Sequence, residues 1–417
     1  MNVTPPKSFQ RFNRALLGTA AVVLVAFGAL NTWVNPYWVT RTPWTNESFA
    51  EFRPIYRQQR TGKAGLIRSQ EWDIGLFGSS RVDIAFNPAL PEWKNKRVAN
   101  LAMSASTLPE TAATVRYALQ HGPMELAIVG IDLGDLTTEN SKWRSTGFME
   151  SPLNPKGDAV ERELRYIFGS STFQATYKAI RNKAKNQLPE YTPLGHRLRH
   201  QDQADVRTVI YRDAIPHALR TTAERHAHYD GVSDWKYSLL RQIIDDCAAH
   251  GTRLILVIPP NHAAYIGVFH YLGDPDPCFR ADREALVRAV SESQESHPRS
   301  TPAVIWDFND FHRFNAEEIP PHDVRMHWWL DGTHARKDLG NVMLARIMDW
   351  EVPEDGDDYG VKLDASNLDS RIESIREEYQ DFKDERRDMW RWMVEQIDKY
   401  DAGVSIPENG VGLADPS

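Results

Sequence analysis

The sequence predicts an α/β protein: a doubly wound parallel sheet with a helical insertion, tethered by one N-terminal transmembrane helix. Five short apolar runs are each bounded by turn residues, as buried strands are. Helix-length amphipathic segments separate most of these runs, and strands alternating with helices assemble into a parallel sheet. A single long uncharged segment lies close to the N-terminus.

That segment comes first in the chain. Lys7, Arg11 and Arg14 precede an uncharged stretch over residues 15–40 whose core reads ALLGTAAVVLVAFGAL. About 20 apolar residues cross the hydrocarbon layer, and basic residues stay on the cytoplasmic side. The N-terminus is therefore expected inside the cell, with the chain beyond about residue 37 outside the inner membrane. Ala26 and Gly28 also offer the small residues of a signal-peptide cleavage site, but the length of the run and the aromatic residues Trp33, Tyr37 and Trp38 favour an uncleaved anchor with an interfacial belt.

Residues 41–72, polar and mixed, form a membrane-proximal lead-in. The five strand runs are DIGLF (73–77), RVANLAM (97–103), ELAIVGIDL (125–133), RLILVIPP (253–260) and AVIWDFN (303–309). Between them, LPETAATVRYALQHG and DWKYSLLRQIIDDCAAHG each end at a glycine, as helices often do, and ADREALVRAVSESQ leads to the fifth run. The domain so outlined covers 73–352, with a helical insertion at 134–234 packed over one end of the sheet. Beyond it, 353–417 reads as a charged helix followed by a disordered tail. Trp390, Trp392 and Met393 suit that helix to docking on the main domain or on a partner.

Composition narrows the partners. A net charge of -8 argues against a surface built for phosphate backbones, so no nucleic-acid partner is expected. With Cys247 and Cys278 alone, neither a disulfide framework nor a cysteine zinc site can form, although one bridge in an oxidising compartment remains open. His312, His322, His327 and His334 lie near Asp307, Asp310, Asp323 and Asp331 without any standard zinc spacing. No phosphate-binding glycine loop follows a strand, so no cofactor is expected.

Two short patterns carry chemistry. Gly78-Ser79-Ser80 follows the first strand run and opens a helix, where a serine hydroxyl is exposed and its own N–H favours negative charge on an attacked carbonyl oxygen. A second Gly-Ser-Ser, at 169–171, has no strand before it and reads as a helix cap. Far along the chain, WWLDGTHARKDLGNVMLARI places Asp331 and His334 in a DxxH spacing just before a helix. A nucleophilic serine needs a base to take its proton and an acid to orient that base, and these two residues supply the pair.

With these two motifs at opposite ends of the domain, the sequence resembles the SGNH, or GDSL-like, hydrolase superfamily, over roughly residues 73–350 without the insertion. The resemblance implies a flavodoxin-like sheet, with Ser80 as nucleophile, His334 as base and Asp331 as its orienter. The anchor and the turn LFGSSR also resemble the superfamily's membrane-anchored branches that modify envelope and exopolysaccharide acyl groups. The second block is matched by NLAMSAST, with Asn100 present but Ala105 where glycine is usual for a backbone oxyanion donor. The third block normally offers an asparagine to the oxyanion, and here Asp132 stands in its place, which implies a protonated, redirected or altered role. Asn261 and His262, after the fourth strand run, and Arg81, beside Ser80, either line the substrate site or serve structure.

The reading that follows is an anchored, outward-facing serine esterase or O-acyltransferase acting on acylated envelope or secreted polysaccharide. The alternative is a catalytically inactive glycan-binding or scaffold protein of an export complex.

Overall fold

A computed structural model describes residues 7–40, 42–137, 146–199, 231–272, 277–320, 324–353 and 355–401, with 215, 216 and 219. Residue contacts divide the chain into two compact units: Met1–Gln70 with Ser145–Pro193, and Glu71–Arg144 with Leu194–Ser417.

The second unit holds a six-stranded sheet. Its strands are β1 (Ile74–Phe77), β2 (Val98–Asn100), β3 (Leu126–Gly130), β4 (Arg253–Ile258), β5 (Val304–Asp307) and β6 (Val361–Leu363). They lie in the order β2-β1-β3-β4-β5-β6, the first five parallel and β6 antiparallel on the edge. All five expected strand runs form strands. Every residue of β1 and β3 is buried, and only Arg253 of β4 is exposed, which is why these runs are continuously apolar rather than alternating. β6 escaped the sequence reading because its three residues carry Lys362 in the middle and form no apolar run.

Helices α4 (Leu108–His121), α8 (Asp234–Ala249) and α10 (Pro277–Ser296) pack on one another in series, while α3 (Ser80–Ala85) packs on α11 (Lys337–Met348). Right-handed crossovers in this strand order place the two groups on opposite faces of the sheet. The charged C-terminal segment docks on this unit instead of leaving it: α12 (Leu368–Glu385) packs on α10, and α13 (Arg387–Asp401) packs on α9 (Ala263–Leu272). Met389, Met393 and Ile397 are core residues. Arg371 on α12 is buried between Asp307 and Asp310 at the end of β5, at 3.2 and 2.6 Å. Those two aspartates, considered above among possible metal ligands, are thus occupied by guanidinium groups. Residues 402–417, read as a disordered tail, and His322 and Asp323 lie outside the described residues.

The first unit contains the apolar helix α1 (Lys7–Val34), α2 (Gln59–Ser69), α5 (Thr146–Met149), α6 (Ala159–Phe168) and α7 (Ser170–Ala184). α1 is long and apolar enough to cross a membrane. The expected insertion is therefore split. Its part over 146–193 packs with α1 and its neighbours, and from Leu194 the chain returns to the sheet unit, whereas 138–145 and most of 200–230 lie outside the described residues. Within the lead-in, α2 is mostly buried and Lys63 lies over the Tyr191 ring. Of the three expected belt aromatics only Trp33 is exposed. Tyr37 and Trp38 are buried, and Arg53 stacks over Trp38 at 4.9 Å.

α3 and α11 touch with almost no room between them. A Cβ added at Gly340 would collide with the Ala85 carbonyl oxygen, a backbone atom that cannot swing aside. Gly340→Ala should therefore push α11 off α3 and cost about 1–3 kcal/mol, the usual range for overpacking. A thermal shift of the full chain in detergent checks this, and an unchanged apparent Tm would show that the helices tolerate separation.

Candidate active site

The first strand ends in a turn that needs its glycine. Gly78 has a φ of +138°, and a Cβ there would lie 3.0 Å from both the Gly130 carbonyl oxygen and Val82 Cγ2. Close approach of β1 to β3 thus depends on a missing side chain. The two serines that follow then separate in role. Ser79 is the N-cap of α3, its hydroxyl accepting the Arg81 N–H at 3.3 Å, whereas Ser80 is the first residue of the helix and its hydroxyl points elsewhere. The second Gly-Ser-Ser, in contrast, joins α6 to α7 with Gly169 as the cap.

Ser80 Oγ lies 2.8 Å from His334 Nε2, across 254 positions of sequence. On the other side of the ring, His334 Nδ1 is 2.8 and 2.9 Å from the two carboxylate oxygens of Asp331. The DxxH spacing works because residues 330–334 form a tight closed turn. Trp329 bridges to Ala335, Leu330 N–H donates to the His334 carbonyl, and Asp331 Oδ1 accepts the N–H groups of Thr333 and His334 at 2.9 Å each. The turn brings residues i and i+3 onto one side.

These contacts assign the tautomer. With both Asp331 oxygens at Nδ1, that nitrogen carries the proton, and Nε2 is left as an acceptor for the Ser80 hydroxyl. Burial would raise the Asp331 carboxyl, but the charge and hydrogen bond of His334 with the two backbone N–H groups outweigh it and hold the group well below the usual carboxylate range. Asp331 is ionised at any working pH. Thr333, which the sequence reading passed over, adds its hydroxyl to Asp331 Oδ1 at 3.2 Å.

The remaining candidates sort into two sets. Ala105 is exposed, has a φ of +52°, and its N–H has no partner among the described residues, so it remains available as a backbone donor. It occupies the third position of a turn closed by Ser106 N–H on the Met103 carbonyl, where the positive φ is one that glycine adopts most readily. Asp132 does not point bare charge at the site: its Oδ1 lies 3.7 Å from Arg81 Nη1, so the carboxylate and the cation beside Ser80 offset each other. Asp135 nearby is similarly matched, accepting the Leu108 N–H at the start of α4 and pairing with buried Lys236.

Asn100, Asn261 and His262 serve the frame rather than the rim. Asn100 is fully buried, and its amide donates to the Val82 and Phe86 carbonyls at 2.9 Å each, fastening α3 to the end of β2. Asn261 is buried against Asn309. His262 is buried too, its Nδ1 accepting the Ala264 N–H and its Nε2–H donating to the Glu317 carbonyl at 2.8 Å. Its own backbone N–H donates to the Gly332 carbonyl, inside the Asp331–His334 turn. Sequence alone could not separate lining from support, because a strand-end loop is polar in either case. Asn315, which no motif flagged, is also buried and holds the same loop through its carbonyl to Ala263 and its amide to Phe308 and Asp310.

No family model and no curated protein sequence matches this chain. The arrangement of its side chains therefore has to be read on its own chemistry. A hydroxyl, an imidazole in the accepting tautomer and an ionised carboxylate stand in hydrogen-bonded series, with two backbone N–H groups, of Ser80 and Ala105, on the adjoining turns. Among the described residues no group of three His, Cys, Asp or Glu side chains is placed to hold a metal ion.

Burial drives the His262 imidazole down to about 4. A base whose folded value lies below its unfolded one takes up protons on unfolding, so its contribution to stability is full above pH 6.5 and is lost as pH falls from 6.5 toward 4. The apparent Tm should fall through that window, and His262→Gln, which keeps a donor toward Glu317, should flatten the slope. An equally steep slope in the variant would assign the pH dependence to other groups.

Proposed function

We propose that this protein is a serine esterase or O-acyltransferase of the SGNH type, held in the inner membrane by α1 with its sheet-bearing unit on the outer side. The observation that carries the reading is the 2.8 Å contact between Ser80 Oγ and His334 Nε2, backed by Asp331. The strand order supports it too, since five parallel strands in the order 2-1-3-4-5 form the flavodoxin-like sheet that the resemblance implies.

In this mechanism Ser80 Oγ attacks the carbonyl carbon of an ester while its proton passes to His334 Nε2. Asp331 stabilises the imidazolium that results. The developing oxyanion is received by the backbone N–H groups of Ser80 and Ala105, since the position where an asparagine would donate holds Asp132, already engaged with Arg81. Collapse breaks the ester C–O bond, the leaving alkoxide takes the proton from His334, and an acyl-Ser80 remains. Water or a sugar hydroxyl then gives up its proton to His334, attacks the acyl group and regenerates Ser80. The substrate class, acylated envelope or secreted polysaccharide, follows from the proposed location outside the inner membrane. Envelope-complex proteins are the natural partners there.

A fluorophosphonate probe applied to the full chain in detergent tests the reading without knowledge of the acyl group. Ser80 should be labelled covalently, Ser80→Ala should abolish the label, and His334→Ala should slow labelling by about 10³-fold or more, because the members of such a set act as a unit. Asp331→Asn should slow it by about 10²–10⁴-fold through loss of the correct tautomer. A folded wild-type protein that takes no label would overturn the enzyme in favour of a non-catalytic glycan-binding module.

A further inference from the structure

The Gly-Ser-Ser that the site leaves unused lies in an unusual segment. Residues 166–177, YIFGSSTFQATY, carry no charge in a chain of which 25% of residues are charged, and Arg162, Arg165, Lys178 and Arg181 flank them. The segment forms the tip of a helical hairpin made by α6 and α7, and that hairpin packs on the outer end of α1. A Cβ at Gly28 would meet the Phe168 and Ile167 side chains, and the Phe27 and Phe173 rings pack in a tilted pair with centroids 4.3 Å apart. Asn31 joins both arms, donating to the Ile167 carbonyl and accepting from Thr176 Oγ1. Further along, Val34 packs on Ala179. α7 thus runs alongside α1 in the same direction, with the hairpin tip level with Phe27 and Gly28.

Length decides where that tip lies. Counting from Arg14, the last basic residue, ~20 residues at ~1.5 Å each are needed to cross ~30 Å of hydrocarbon. Residues 15–34 supply that number, so Val34 marks the outer boundary. The uncovered part of α1 ends earlier, at Ala26, and from Phe27 onward its side chains are increasingly covered by the first unit. The level of Gly28 is about 9 Å short of Val34. A hairpin tip beside Gly28 is therefore at acyl-chain depth, within the ~5–10 Å to which interfacial helices sink.

The surface of the hairpin fits that depth. Val160, Leu164 and Phe168 stand one turn apart on α6 and are 70%, 51% and 40% exposed. Arg181 on α7 and Lys185 just past its end lie beyond the Val34 level, where lipid phosphates would be, Lys178 sits at that level, and Arg165, deeper by the same count, pairs with Glu161 at 2.6 Å on a side chain long enough to reach outward. Against α1 the arm α7 presents Thr176 and Ala179, the small and hydroxyl side chains that let helices pack closely within lipid.

From these placements we propose that the α6–α7 hairpin is a second membrane element, with Leu164 and residues 168–173 seated among the acyl chains of the outer leaflet beside the crossing helix. The inference rests on α1 spanning the bilayer. It makes the first unit an embedded seat rather than a domain swinging on a single tether.

Site-directed spin labelling of the full chain in phosphatidylcholine–phosphatidylglycerol vesicles tests it, with Cys247 and Cys278 replaced by serine. Single cysteines at Leu24, Leu164, Ser171 and Glu295 would report relative access to oxygen, which partitions into lipid, and to a water-soluble nickel chelate. Labels at 164 and 171 should resemble the one at 24, favouring oxygen several-fold more than the label at 295. If 24 is in lipid while 164 and 171 admit the nickel chelate, the hairpin proposal is overturned and the anchor stands. Low access of both reagents at 164 and 171 would show a protein covering the stripe, and also overturns it. Nickel access at 24 would instead remove the anchor on which both rest.

Discussion

The close approach of α11 to α3 is the constraint on which the candidate site depends. Ser80 opens α3 and His334 stands three residues before α11, so the separation of these helices sets the gap between hydroxyl and imidazole. A glycine at 340 lets the backbone of one helix rest against the Ala85 carbonyl of the other. Side-chain chemistry so far apart in sequence becomes a 2.8 Å contact through the absence of a methyl group.

Around that contact, buried polar residues act as fasteners. Asn100 ties α3 to β2, while His262 holds the Asp331–His334 turn through its N–H to Gly332 and Asn315 holds the His262 loop through Ala263. Each of these groups is desolvated and must find partners inside the protein, so each permits few alternative geometries. The result is a preorganised set in which Ser80, His334, Asp331, Thr333, Arg81, Asp132 and the Ala105 turn keep some exposure.

The same logic separates the charged residues. Asp307 and Asp310, which resemble site carboxylates when read along the sequence, are buried under Arg283 and Arg371, and their work is to hold α12 against β5. Burial lifts a carboxyl, but two guanidinium groups more than offset this at Asp307, which stays below the usual range. Asp331 reaches the same ionised state through one imidazole and two backbone N–H groups, leaving the far ring nitrogen free to act. The difference lies in what stands opposite the carboxylate, a guanidinium that never releases its proton or an imidazole that can.

By itself the sequence determined the parallel strands, the apolar N-terminal helix and the two motifs at the ends of the sheet domain, because each is written in local periodicity or spacing that burial and turn geometry read directly. β6 was not legible, being three residues with a lysine at its centre, nor was the return of residues 146–193 to the N-terminal unit. Tertiary structure alone decided that Ser79 caps while Ser80 faces the imidazole, that Arg81 covers Asp132, and that Asn261 and His262 turn inward. Those outcomes depend on which backbone and which charge arrive opposite each side chain, and residues far away in sequence supply both.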